Sequence, residues 1–432
     1  MNRNRMSEGV NESETFVYHL FCRVFTPAHV FANPIKNDGR ELCDVLVRLM
    51  DSAFLVSVRD RKFNSANLTL IEWGRWSRET IGDKVKSLTK GGRYLRSRIS
   101  VVYLDTKKTR TLPSWVATTK PEKIHKIIVG FGIPDTVSEH KVGTERTVRL
   151  CLAKKHDDDS LFTIGVVKSE DEFVHVFDIA GLELVLSFAD TPFELNDYLL
   201  WREGVISEGN VILVNGEEDL VAHWMIKRFK VRLLVDPEDF RDESGRLPGM
   251  IYLGMFEQFK RSPIYRWKVA ASEASGFWDR LAAYVADGAS QGLENADSLA
   301  LYGGLLSAET KFLRAYVWHE LKRKSDGDGS AVDVVAVSSV MPDLVYYFSL
   351  QHEEMSTEHR EKNITFMAHA VAGQMKKACL GVGLLPRDAL ARPIMTLALP
   401  QGSPIIQREM ASVMITFDDA LRWLSSESAD PG

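Results

Sequence analysis

Short, dense apolar runs alternate along this chain with helically spaced ones, and the alternation predicts a mixed α/β (α+β) protein. From Phe16 the pattern predicts a helix or strand, then a loop. Leu42–Leu49 and Ala53–Val58 follow, rich in Val and Leu and separated by Met50-Asp51-Ser52, which predicts a hairpin or neighbouring strands. Residues 68–98 lack proline and space Leu70, Trp73, Trp76, Ile81, Val85 and Leu88 as one or two helices. Val101–Leu104 and Lys126–Phe131 read as further strands of the same sheet. Strands near 147–153 and 161–167, a strand at Val174–Phe177 and a helix at Pro192–Glu203 come next. Beyond a surface loop at 237–248, Ala270–Val285 and Ala296–Lys324 are helical patterns. After a flexible break at 325–330, strands at 333–338, 344–349, 393–399 and 411–417 flank a helix at about 357–380.

Length divides this pattern. A chain of 432 residues predicts two or three domains. The expected boundaries are a disordered lead at 1–14, a first domain at 15–135, a mixed α/β middle region at 136–245 and a C-terminal α/β domain at 250–432. Hydrophobic residues at 45% and charged residues at 26% exclude disorder as the default state. A net charge of -5 argues against a surface that coats nucleic acid everywhere, while allowing a local basic face. Cys22, Cys43, Cys151 and Cys379 show no CxxC spacing, so reduced thiols and a cytoplasmic location are expected. No apolar run approaches a membrane span, and Met1 to Glu14 lacks the apolar core of a secretion signal.

The chemistry concentrates near the first hairpin. Glu41 and Asp44 run into one apolar strand, and the next ends in Ser57-Val58-Arg59. Strands side by side would place Asp44 next to Ser57 and Arg59, which share one face. Acid oxygens suit Mg²⁺ or Mn²⁺, and a nearby cation suits a phosphate. Lys62 lies three residues beyond Arg59. Between Arg59 and Arg98, eleven Lys/Arg face only four acids in a chain of negative net charge. Arg75, Lys84, Lys86, Lys90 and Arg93, with the Gly91-Gly92 pair, could track a phosphate backbone, and Trp73 and Trp76 could stack on bases. A solvated helix face and a buried Trp pair are the alternatives.

Asn33-Pro34, Gly39-Arg40-Glu41-Leu42-Cys43-Asp44, Ser57-Val58-Arg59 and Trp73-Gly74-Arg75-Trp76 together resemble the PD-(D/E)XK nuclease superfamily, in a divergent group of uncharacterised bacterial proteins. Weaker echoes continue at Phe193–Leu199 and Phe277–Arg280, so the resemblance spans about the first two thirds. It implies a restriction-endonuclease-like N-terminal domain with an α/β accessory C-terminal half, acting on DNA with Mg²⁺ or Mn²⁺, in bacterial antiviral defence. On that resemblance Asp44 is the metal ligand, Glu41 assists it, and Ser57 and Arg59 fill the acid and Lys positions. Arginine keeps its proton and is a poor proton-transfer partner. Two readings therefore stand: a metal-dependent endonuclease, or a catalytically degenerate nucleic-acid-binding or protein-interaction module. The C-terminal half is expected to serve a homo-oligomer or protein contact.

The remaining motifs carry less. His352-Glu353-Glu354 and His359 lack the HExxH spacing and read as a helix surface. Asp157-Asp158-Asp159 reads as a solvated loop tip. Gly130-Phe131-Gly132 is too short for a dinucleotide fingerprint. There is no P-loop signature and no Gly-x-Ser-x-Gly elbow.

Overall fold

The computed structural model describes residues 11–49, 51–62, 69–97, 101–117, 120–133, 147–151, 163–169, 172–207, 213–214, 216–229, 254–290, 296–325, 332–351, 354–385, 393–399 and 413–415. Asp157-Asp158-Asp159, the loop at 237–248, Arg98, His352 and Glu353 lie outside these residues. The protein is α+β and divides into two compact units, Met1–Ile264 and Tyr265–Gly432. Among the described residues, no helix is long and apolar enough to cross a membrane.

In the first unit α1 (Glu12–Phe25) starts inside the stretch expected to be an unstructured lead. Asn11 is the reason: its side chain accepts from the Glu14 amide at 2.9 Å, the N-cap bond that satisfies an otherwise orphaned donor. Strands β1 (Val30–Ala32), β2 (Val45–Leu49) and β3 (Ser52–Asp60) form an antiparallel meander. The predicted hairpin is β2–β3, with Val45 opposite Val56. Helices α2 (Leu70–Ser77) and α3 (Asp83–Arg96) follow, joined by a π-turn at Arg78–Gly82.

After the short α4 (Ser114–Ala117), β4 (Lys123–Phe131) lies parallel to β3. Strands β5 (Arg149–Cys151) and β6 (Thr163–Gly165) belong to a separate small sheet, and β7 (Lys168–Ser169) pairs with β8 (Glu172–Phe173). Strand β9 (His175–Asp178) then completes the main sheet in the order β1-β2-β3-β4-β9. Val101–Leu104 is not one of its strands. Tyr103 makes only isolated bridges to Ile35 and Thr111, because α2 and α3 intervene before β4 and the β3 edge is already taken. Helices α5 (Ile179–Phe188) and α6 (Pro192–Ser207), the strand β10 (Leu213–Val214), α7 (Glu217–Arg228) and α8 (Met255–Lys260) finish the unit.

Alternation along β3 assigns the two faces of the main sheet. Phe54 faces α1, where its ring meets Phe25 edge-on at 5.0 Å between centroids. Leu55 faces α3, which approaches so closely that a Cβ on Gly91 would fall 2.9 Å from the Leu55 side chain and 3.2 Å from the Leu42 carbonyl.

In the second unit the expected long helices are each divided: α9 (Pro263–Ala274) from α10 (Gly276–Ser290), and α11 (Ala296–Ala308) from α12 (Lys311–Ser325). Thr310 caps α12 by accepting from the Leu313 amide, and Glu309 turns into the core to accept from Ser338 Oγ at 2.7 Å. Strands β11 (Val332–Val337) and β12 (Leu344–Leu350), helix α13 (Thr357–Met375), and strands β13 (Ala378–Leu384), β14 (Ile394–Ala398) and β15 (Val413–Ile415) complete it. Their sheet runs β14-β13-β12-β11-β15, with Trp278, Tyr346 and Phe348 buried against one face.

Candidate active site

The carboxyl end of β3 and the start of β2 lie together because the hairpin register fixes them. One residue beyond the Val45–Val56 pair, Asp44 meets Ser57, whose Oγ donates to Asp44 Oδ2 at 2.8 Å. The Val58 amide donates to the same oxygen at 2.5 Å. Asp44 is 4% exposed, so these donors stand in for the water it has lost.

Lys84, at the start of α3, supplies the neighbouring cation: its Nζ lies 3.6 Å from Asp44 Oδ2. Arg59 is exposed at the end of β3, and Lys62 is exposed just beyond it; neither forms an ion pair among the described residues. The cation beside the acid thus comes from a helix, not from the strand position two residues after Ser57. The two glycines that permit this sit mid-helix and buried. Gly91 packs on Leu55, and Gly92 leaves room for the Lys126 side chain. They bring α3 to the sheet, so the expected approach to a phosphate at Gly91-Gly92 is corrected.

Glu41 stands at the open edge of this group. Crowding of its carboxyl by burial, then the adjacent Asp44 charge and a shared hydrogen bond with Asp44, raise its pKa to about 7, with Lys84 opposing the shift. Glu14 of α1 adds a smaller repulsion. It is buried and accepts from Asn11 Nδ2 at 2.8 Å, while Ser13 donates to Asp60 Oδ2 at 2.5 Å. Glu14 was missed in the sequence because it falls in the stretch read as the lead. Cys43 is no nucleophile. Burial, then the Asp44 and Glu41 charges, hold its thiol well above the usual range, and Sγ donates to the Val45 carbonyl.

Two neighbouring acids, one of them held by Ser57 Oγ and the Val58 amide, suit a hard divalent cation that takes oxygen ligands. Asp44 and Glu41 would hold it. A cation there would relieve the repulsion that lifts Glu41.

The basic segment separates into two sets. Arg61 pairs with Glu79, Arg75 with Glu72 at 3.2 Å, and Arg96 with Glu172 at 2.5 Å. Lys86, Lys90 and Arg93 lie four and three residues apart along α3, a single exposed stripe, and Lys86 and Lys90 have no ion pair among the described residues. Trp73 and Trp76 are fully buried and stack on each other at 4.9 Å, so base stacking is corrected to core packing. Gly130 serves that packing, since a Cβ there would lie 2.7 Å from the Trp76 ring.

A second cluster was not legible in the sequence. His125 of β4, His175 of β9 and Glu203 of α6 bring ligand-type atoms within 4.8 Å of one another, the one such group among the described residues. Its setting opposes a cation. Arg202 Nη1, which can only donate, lies 3.4 Å from His175 Nδ1, and Lys123 pairs with Glu203 at 3.5 Å. Burial above all lowers His125 to about 4 and His175 well below the usual range, so both rings are neutral. His125 stacks on Phe54 at 5.0 Å and bonds Asn196 Oδ1 at 2.9 Å. His359 sits in the first turn of α13, where its ring meets Ser356 Oγ at 2.8 Å.

No family model, curated protein or solved structure matches this chain.

Proposed function

We propose that the N-terminal unit is a restriction-endonuclease-like domain that hydrolyses phosphodiester bonds of DNA with Mg²⁺ or Mn²⁺. The observation that carries this reading is Lys84 Nζ at 3.6 Å from Asp44 Oδ2, beside a Glu41 raised to about 7. It supplies the lysine that the Ser-Val-Arg strand lacks. When bound, the ion would polarise the phosphate and lower the pKa of a water.

The chain's own groups divide the remaining work. Ser57 and the Val58 amide hold Asp44 in one orientation. Lys84 stabilises charge that develops on the phosphate, where a fixed cation acts with little reorganisation. Glu41 can take a proton near neutral pH, and Lys86, Lys90 and Arg93 hold the backbone of the substrate. Service in bacterial antiviral defence belongs to this proposal by analogy with the resembled group.

One observation favours the second reading, a degenerate nucleic-acid-binding module. Ser57 occupies the acid position and spends its hydroxyl on Asp44 instead of on a metal. Cleavage of plasmid and single-stranded DNA with Mg²⁺ and Mn²⁺, run beside Asp44→Ala and Lys84→Ala, separates the two. An enzyme loses turnover in both variants and still binds DNA. Absence of cleavage throughout, with salt-sensitive binding intact, selects the module, and absence of both removes the nucleic-acid reading.

A further inference from the structure

A groove of about 810 Å³ opens in the C-terminal unit between α10, α11, the start of α13 and β14. Tyr284, Tyr302, Thr357, Arg360, Thr365 and Thr396 line it. Five of these offer hydroxyls or aromatic rings, and only Arg360 is buried, at 5% exposure.

Arg360 is anchored at one corner. Its Nε donates to Gln351 Oε1 at 3.1 Å, and Gln351 Nε2 returns a bond to the Arg360 carbonyl at 3.3 Å. Gln351 is itself 1% exposed, so this anchor is rigid. Nη2 is buried without a hydrogen-bond partner among the described residues. Among the described residues no carboxylate pairs with Arg360. Asp287 and Glu361 also line the groove and are exposed. A buried guanidinium without a counter-charge is costly, and folded proteins keep one chiefly where an anion will meet it.

We propose that this groove binds a small molecule through a compact oxyanion, carboxylate or phosphate, received by the guanidinium of Arg360. Arginine suits this task because its planar fork gives two parallel bonds to such a group. Hydroxyls of Thr357, Thr365 and Thr396 provide further donors, and Tyr284 and Tyr302 offer flat surfaces for the body of the ligand. The proposal is independent of nuclease activity in the other unit. A structural tie alone would explain the Nε bond to Gln351 but not the unused Nη2.

The test is a calorimetric and thermal-shift titration of the full chain with inorganic phosphate in one arm and acetate in the other. Each is compared with chloride at equal ionic strength. A saturable stabilisation by either anion is expected, and the arm that responds identifies the group. Arg360→Lys weakens it about tenfold, because a point charge lacks the fork. Arg360→Gln abolishes it. Thr396→Tyr fills the groove without touching the Arg360–Gln351 bond and should also abolish it, which decides the matter if Arg360→Gln fails to fold. No saturable response to either anion, or a Thr396→Tyr variant that responds like the parent, overturns the proposal.

Discussion

The main sheet carries a titratable cluster on each face, and the two are opposites. Asp44, Glu41 and Lys84 gather where β3 ends, on the α3 face, with a carboxyl raised to about 7 at the open edge. His125, His175 and Glu203 gather on the α1 face, three residues back along β4, with rings pushed down by burial. By ligand count the histidine cluster is the better metal site. Its neighbours reverse that ranking: Arg202 occupies a histidine nitrogen and Lys123 holds the glutamate, whereas Glu41 and Asp44 repel each other and leave excess negative charge that would favour a cation. The identity of the surrounding charges, more than the number of ligand atoms, decides what a cluster can hold.

Four experiments can break or sharpen this contrast. The largest effect is expected from Asp44→Ala, which should lower metal-dependent DNA cleavage about a thousandfold, the scale of losing charge stabilisation at the reacting phosphate. Retained cleavage would dissolve the site. Next, Lys84→Ala should cost about a hundredfold in kcat, while Arg59→Ala changes it little. Steady-state kinetics on both variants would show whether helix or strand supplies the cation, and equal losses would restore Arg59 to the site.

A smaller effect concerns pH. Glu41 holds a proton in the folded protein up to about 7, above the 4.5 of the unfolded chain. The folded state therefore binds more protons in this window, and stability falls as pH rises from about 4.5 through 7. Mg²⁺ should offset the loss most strongly above pH 7. Thermal melts of the parent and Glu41→Gln, with and without Mg²⁺, check this; a Glu41→Gln variant with the parent's pH slope would refute it.

Smallest in activity is His125→Gln, which should leave cleavage and bound metal unchanged while lowering stability by about 1–3 kcal/mol. Because folded His125 titrates near 4 against 6.5 unfolded, the parent should lose stability as pH falls from about 6.5 through 4, and the variant less. Metal analysis of the purified protein beside acid-side melts tests both halves. Metal lost specifically from His125→Gln would make the histidine cluster a metal site after all.

Local patterning alone made the β2–β3 hairpin readable, and with it the meeting of Asp44 and Ser57. A period of two and a short turn leave few registers for two such adjacent runs. Strand β4 and helices α2 and α6 were legible for the same reason, as dense or helically spaced apolar runs. The break at Glu309 was not, because it depends on the Thr310 cap and on a carboxylate turned into the core. The basic character of residues 59–98 was visible, but not its division into paired arginines and an exposed stripe of Lys86, Lys90 and Arg93.

By itself the sequence determined the mixed architecture, the hairpin and the acid that opens it, since each rests on neighbours in the chain. Only tertiary structure decided that Lys84 lies beside Asp44, that Trp73 and Trp76 are core, and that Arg360 is buried without a counter-charge among the described residues. These depend on how closely α3 docks on the sheet, on which ring fills the space over Gly130, and on what surrounds a side chain from distant segments. Helical spacing fixes a residue's face along its own axis; the partner on that face comes from packing between elements far apart in sequence.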